Sequence, residues 1–390
     1  PASWTKPSVA SILTGLYPFE HQVIHKDDVV SDSMTTIGDI LIHNGYHTVG
    51  LFNNANLAPI FGFQKGFQKY FYLLPKYLGS QFWVNYRQAS YQLIHKALLK
   101  FFPLLRKPDL FYAPAERINT IEQDIITDEM KTNKNFFFYI HYMDPHDPNF
   151  SHDEIPISYA RFENPNPSAE NALLYKFYYE KEIQYIKGFL ESFLKSLSQK
   201  NFFDSSLIII TSDHGEGFYE HKHFWHGTTL HEELIHVPLA IKYPGQKSFA
   251  QYDNPASLID IVPTVLDTLH IQTDSHLSGI KLPTGENNEG SSNRYIFSEE
   301  DHQGYKIWSV KYQSLKMIYQ KYQNNITEEL FDLARDPKEL HPLAWHHDKN
   351  DMHKVLQEYI KKRPVYFSKE IQEPLPSTTA NQLRSLGYVQ

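Results

Sequence analysis

Four short apolar runs constrain this chain most: residues 46–52, 136–142, 207–212 and 237–243. Each is rich in β-branched or aromatic side chains, as suits strands buried on both faces of a mostly parallel sheet. Helix-like patterns lie between them, over 8–16, 36–44, 115–132 and 169–198. Alternation of this kind specifies an α/β fold. The 36–44 pattern stops at Gly45, a helix C-cap glycine. After a Gly, Ser and Asn-rich stretch at 273–293 the pattern changes. Segments 294–298, 306–311, 315–319 and 329–332 read as short antiparallel strands, and 351–362 as a helix. The expected organisation is a main α/β domain over 1–290 and a small α+β subdomain over 291–390.

Composition narrows the chemistry. The 390 residues contain no Cys, which excludes disulfides, thiolate metal sites and a Cys nucleophile. A net charge of −8 disfavours nucleic acid as a partner. No run of about 18 apolar residues is present. Histidine is abundant at 21, and it ligates metals and carries protons near neutral pH. Residues 82–105 form a basic amphipathic stretch, read as a packed helical insertion or as a lid or membrane-facing helix. Residues 151–168 read as a long loop.

The 207–212 run ends in Thr211-Ser212-Asp213-His214-Gly215-Glu216. It delivers two metal-competent side chains to the C-terminal end of a strand, the edge where open α/β sheets bind ligands. Asp213 offers a hard oxygen and His214 a borderline nitrogen, which together suit zinc or manganese better than calcium. Gly215 is expected to let the backbone turn sharply. A turn with a capping Asp and a merely polar His would leave the same trace. His226, in Phe224-Trp225-His226-Gly227, follows 13 positions after Asp213 among His221, His223, His231 and His236. Of these, His221 and His223 are expected on the solvated surface.

The 136–142 run continues into Met143-Asp144-Pro145-His146-Asp147-Pro148, where flanking prolines would hold His146 rigidly. A Pro-stiffened turn capped by Asp144 fits equally well. Near the start, Trp4-Thr5-Lys6-Pro7-Ser8 precedes a helical pattern that Gly15 and Pro18 would end. Pro7 suits a first helical turn. Thr5 would then sit just before a helix N-terminus, where unpaired N–H groups and the dipole favour an anion. A hydroxyl beside an anion site and a metal can act as a nucleophile. An ordinary N-cap threonine is the alternative. Lys6 would either contact the anion or be solvated.

Taken together, these motifs resemble the sulfatase family of the alkaline phosphatase superfamily. The resemblance runs through residues 5–18, Asn44-Gly45-Tyr46, Gly62-Phe63-Gln64-Lys65-Gly66-Phe67, residues 141–148, 212–216, Val237-Pro238-Leu239, Asp260-Ile261-Val262-Pro263-Thr264, Glu329-Leu330-Phe331-Asp332-Leu333 and Leu386-Gly387-Tyr388. It implies an α/β sandwich with a central sheet and a smaller C-terminal sheet. It further implies a divalent metal ion and a covalent intermediate at a sulfate or phosphate ester. Zinc or manganese is favoured over calcium or magnesium.

Sulfatases carry a formylglycine made from Cys or Ser in a Cys/Ser-x-Pro-Ser-Arg motif. Aligning Leu13-Thr14-Gly15 puts Thr5 at that nucleophile position and Val9 at the Arg position. Thr is not converted to formylglycine, so the resemblance shifts to relatives that act on phosphorus through a Thr nucleophile. These are the phosphoethanolamine transferases, lipoteichoic acid synthases and nucleotide phosphodiesterases. It implies Thr5, Asp213 and His214 as metal ligands, with Thr5, His146 and His226 as catalytic residues.

The expected function is therefore metal-dependent hydrolysis or transfer at a phosphate ester. A sulfatase using unmodified Thr5 and a catalytically impaired binding protein of the same fold are the alternatives. The substrate would be a small-molecule or lipid-linked ester, and the resemblance favours an extracytoplasmic or membrane-associated setting. The chain opens at Pro1 without Met, so the family's first strand and its acidic ligands are expected upstream. With Thr5, Asp213 and His214 alone, weak metal binding is expected.

Overall fold

The computed structural model describes residues 1–73, 112–132, 134–146, 164, 166–283, 293–302, 305–344 and 348–363. The basic stretch at 82–105, most of the 151–168 loop, Pro148 and the Leu386-Gly387-Tyr388 end lie outside the described residues. In chain order the elements begin with α1 (Thr5–Thr14), α2 (Pro18–His21), α3 (Ile37–His43), β1 (His47–Phe52) and β2 (Lys69–Tyr72). They continue with α4 (Ala115–Met130), β3 (Phe136–Ile140), α5 (Ala172–Gln199), β4 (Ile208–Thr211), β5 (Gly217–Phe218) and β6 (Phe224–Trp225). The last are α6 (Glu232–Ile235), β7 (Leu239–Lys242), α7 (Ile261–Thr268), strands β8 (Ile296–His302), β9 (Tyr305–Tyr312), β10 (Leu315–Tyr322) and β11 (Asn325–Asp332), and α8 (Lys349–Lys361). Among the described residues these elements fall into two compact units, one built from residues 1–40 and 202–363, the other from residues 41–201.

The second unit is organised by a parallel sheet of order β2-β1-β3. Its middle strand is buried on both faces, as its apolar run requires. On one side Phe52 stacks on Tyr70 and Tyr139 at centroid distances of 4.6 and 4.8 Å. On the other, Leu51 packs with Leu73, Ala113 and Ile118 of α4. Helix α3 closes as the glycine predicted. Gly45 is left-handed, its N–H meets the Ile42 carbonyl, and the Tyr46 N–H reaches back to Leu41.

In the first unit β4 pairs with β7, and the pairing is antiparallel. The expected parallel pairing holds for β1 with β2 and β3 but not for these two runs. The chain between them holds the β5–β6 hairpin and the one-turn α6 instead of the long helix that usually makes a parallel crossover. Nor is β4 buried on both faces: three of its residues are half-buried and Ile210 is exposed.

Strands β8 to β11 form an antiparallel meander, longer at most ends than the sequence segments suggested. Helix α8 lays Met352, Leu356 and Tyr359 against Trp308, Val310, Leu315, Met317 and Leu330. Arg294, just before β8, is held by Asp260 in a two-pronged ion pair. Among the described residues no helix is long and apolar enough to cross a membrane.

Candidate active site

Helix α1 is the core of the site and an unusual helix. All ten of its residues are buried, although Thr5, Lys6, Ser8, Ser11 and Thr14 are polar. A polar group in such a place must be hydrogen-bonded. Thr14 Oγ1 returns to the Ala10 carbonyl at 2.7 Å, and Ser11 Oγ meets His21 Nε2 at 3.0 Å. The Val23 N–H donates to His21 Nδ1, and burial pushes His21 down to about 3, so this histidine is neutral.

Lys6 is fully buried and donates to the carbonyls of Lys26 and Asp28, so of its two expected places the solvated one is not taken. Burial holds its ammonium well below the usual lysine range, opposed by Asp28 and Asp27. The helix also starts earlier than the pattern suggested. Trp4 is its extended N-cap, so Thr5 is the first helical residue instead of the one before. Pro7 lacks only an N–H that the first turn leaves unused anyway.

Three hydrogen bonds position the motifs around the start of α1. Ser8 Oγ donates to the Asp213 carbonyl at 2.5 Å, fixing the loop after β4. The Gly215 N–H donates to the Leu234 carbonyl at 2.8 Å. The Gly227 N–H donates to the Ser3 carbonyl at 3.0 Å, which brings the His226 turn to the segment entering α1. Gly215 is required for closeness, not for a left-handed turn. Its φ is not positive, and a Cβ there would stand 2.0 Å from the Glu233 carbonyl oxygen.

Thr5 Oγ1 then lies 3.3 Å from His214 Nε2, and Asp213 Oδ2 lies 3.6 Å from the same nitrogen. His214 Nδ1 is 2.7 Å from the Gly215 carbonyl oxygen, which only accepts. Nδ1 therefore carries the ring proton, and the lone pair of neutral His214 is on Nε2, facing Thr5. The ring of His226 sits 4.3 Å from that of His214. Its Nδ1 is 3.0 Å from Glu216 Oε2, and both side chains are buried. Glu216 was visible in the Asp213-His214 motif, yet spacing gave it no role. Its place as the carboxylate behind His226 emerges only from the fold.

A metal can be tested against this donor set. Ligand atoms around one tetrahedral ion with bonds of about 2.0–2.1 Å stand roughly 3.3 Å apart. The Thr5, His214 and Asp213 atoms approach that spacing around Nε2, and the Nδ1 tie to a carbonyl orients a ligating histidine in the usual way. The residues fit a divalent ion.

His146 belongs to the second unit. It follows β3, is half-buried, and its N–H closes a turn on the Met143 carbonyl at 2.8 Å. Asp144 before it is buried and accepts the Ala115 N–H at 2.9 Å, at the start of α4. Of the flanking histidines, His223 is exposed as anticipated, whereas His221 is not. It bonds Glu233 and the Glu339 carbonyl, which withdraws it from solvent.

Comparison with known proteins agrees with this architecture. Residues 1–271 match the family model described as Sulfatase, and residues 219–365 the one described as N-sulphoglucosamine sulphohydrolase, C-terminal. Arylsulfatase K of Homo sapiens is 31% identical over 186 residues, covering 42% of this chain and 34% of that protein. The chain thus spans about a third of the length of the curated relatives it matches.

A solved 2-O GAG sulfatase superposes with a TM-score of 0.65 at 18% identity, over 93% of this chain and 82% of that one. The phosphonate monoester hydrolase of Silicibacter pomeroyi superposes with a TM-score of 0.64 at 18% identity, over 95% and 88%. These likenesses establish the alkaline-phosphatase-like α/β fold. With the Sulfatase model matched from residue 1 to 271, the chain belongs to the sulfatase family of the alkaline phosphatase superfamily.

Proposed function

We propose that this chain hydrolyses or transfers a phosphoric ester, a phosphodiester or a phosphonate monoester, through Thr5 as nucleophile. The observation that carries the reading is the Thr5 Oγ1 to His214 Nε2 contact at 3.3 Å, with a lone pair fixed on that nitrogen. It sets a hydroxyl beside a metal-competent atom, at the N-terminus of a fully buried helix.

Thr5 Oγ1 gives up its proton to solvent and attacks phosphorus in line, so that the new O–P bond forms as the bond to the leaving oxygen breaks. The first-turn N–H groups of α1 support the charge that develops on the equatorial oxygens. His226 protonates the leaving oxygen, and Glu216, accepting Nδ1–H, fixes which ring nitrogen serves that oxygen. Water or an alcohol then resolves the phospho-threonine. His146 stays a candidate catalytic residue on its motif alone.

Family membership implies a divalent metal ion. Thr5, Asp213 and His214 would hold it, and their mixed oxygen and nitrogen donors suit zinc or manganese. When bound, the ion lowers the cost of negative charge on the ester oxygens.

Sulfuric ester hydrolysis is the second reading, favoured by the named relatives, arylsulfatase K and a 2-O GAG sulfatase. An aryl phosphodiester, an aryl phosphonate monoester and an aryl sulfate, assayed side by side, separate the two. Thr5→Ala should lower kcat/KM by at least about 10³-fold. Turnover left unchanged in Thr5→Ala would sink the nucleophile assignment, and a preference for the sulfate would favour the second reading.

A further inference from the structure

A second constellation in the first unit lies outside the site described above. His221 stands in the tight turn between β5 and β6, His231 just before α6, and Glu233 within α6. One ligand atom of each lies within 4.8 Å of the other two. The two imidazoles stack at 3.6 Å with planes 6° apart. His221 Nε2 is 3.0 Å from the Glu339 carbonyl oxygen, which only accepts, so Nε2 is the N–H. Its Nδ1 is then the lone-pair atom of the neutral ring, yet it stands 2.7 Å from Glu233 Oε1. Two acceptors at that distance share a proton, and a zinc ion in its place would hold them roughly 3.3 Å apart. His231 Nδ1 is engaged by Thr229 Oγ1 at 2.6 Å, which orients the second ring.

We propose that His221, His231 and Glu233 form a second zinc site that clips the β5–β6 hairpin to α6, its fourth position left to water. Two histidines and one glutamate are a zinc donor set. The outward tie of His221 to a backbone carbonyl is the support that metal-ligating histidines have.

Without metal, a proton serves the pair. Burial pushes His221 down, but the hydrogen bond and charge of Glu233 outweigh it and raise the imidazole above its ordinary value. His231 goes the other way, to about 3, through burial and its neighbours His221 and Lys316, so it is neutral and able to ligate. Binding of Zn²⁺ therefore expels one proton from the His221–Glu233 pair and asks the stacked rings to fan apart.

The location gives the clip a purpose. His221 and His231 bracket His226 in sequence, while the Glu233 carbonyl sits against Gly215, next to His214. Stiffening this corner would hold both active-site histidines.

The test uses the 390-residue chain carrying Asp213→Asn and His214→Gln, which removes the first set of donors. It is titrated with Co²⁺ by visible absorption and with Zn²⁺ by calorimetry in buffers of different ionisation enthalpy. The expected result is one ion per chain, d–d bands of a low-coordinate site, about one proton released, and a raised unfolding temperature. Adding His231→Ala, or Glu233→Gln, which keeps side-chain volume, should weaken binding at least about tenfold. Absence of binding in the Asp213→Asn, His214→Gln chain, or an affinity indifferent to both further substitutions, would overturn the proposal.

Discussion

Gly215→Ala is the most informative single change, because its cost follows from one distance. The added Cβ would lie 2.0 Å from the Glu233 carbonyl oxygen and 3.0 Å from the Glu233 carbonyl carbon. The neighbour is backbone, so no side chain can swing away. The loop after β4 or helix α6 must retreat by about 1 Å to reach ordinary contact. Overpacking of this kind costs about 1–3 kcal/mol. The retreat also strains the Gly215 N–H bond to Leu234, worth roughly 0.5–1.5 kcal/mol. A loss of about 2–4 kcal/mol is expected.

Gly215 also supplies the carbonyl that orients His214. Displacement of His214 by about 1 Å should lower turnover by roughly 10²-fold. Two other glycines isolate the causes. Gly188→Ala, within α5 with nothing within 4 Å, should stabilise by about 0.5–1 kcal/mol. Gly45→Ala meets no atom either, but φ is +82°, so backbone strain alone should cost about 1 kcal/mol. Calorimetric unfolding and turnover of the three variants give the comparison. A Gly215→Ala protein as stable and active as the wild type would refute the reasoning.

Two further perturbations probe buried charge. Glu122 in α4 is fully buried and takes a hydrogen bond from the Tyr142 hydroxyl at 2.9 Å, and burial raises its carboxyl to about 7. The folded state then binds the proton more tightly than the unfolded state, so stability is present at low pH and lost as pH rises from about 4.5 to 7. The loss is about 3 kcal/mol, and Glu122→Gln should abolish that part of the pH dependence measured by urea unfolding between pH 5 and 8. Arg294→Met should cost about 3–5 kcal/mol in thermal or urea unfolding. It strips the guanidinium from buried Asp260, whose carboxylate keeps only the Ser257 and Ile280 N–H groups, at 2.7 and 2.9 Å; a loss under about 1 kcal/mol would show that those two suffice.

What was legible in the sequence divides along a physical line. Strand β1 was readable because two-sided burial favours an apolar run, β3 because its aromatic run is strand-prone although each residue is half-buried, and α4 and α5 because a helical pattern runs through many turns. Strand β2 was not, since its four residues, Lys69 to Tyr72, alternate between exposed and half-buried and resemble a loop. The meander strands were cut short because their two-residue turns begin at Gln313 and Gln323, both left-handed, without the Asn-Gly or Asp-Gly that marks such turns.

Helix α1 is the deeper case. Its pattern is read only from Ser8 and its first turn is missed, because every face is buried and the polar groups are satisfied by partners far along the chain, such as Asp213 for Ser8 and Asp28 for Lys6. Periodicity can report only a boundary between core and solvent, and α1 has none. The same holds for the site. Thr5, Asp213, His214 and His226 were named from residue type and motif, but Glu216 was given no role and His221 was assigned to solvent. Their roles are set by what stands opposite them, and that is decided by the backbone ties from Gly215 to Leu234 and from Gly227 to Ser3. Motifs therefore name the atoms that can react, while the tautomer of His214 and the carboxylate behind His226 follow only from the packing of the β5–β6 hairpin and α6 around the start of α1.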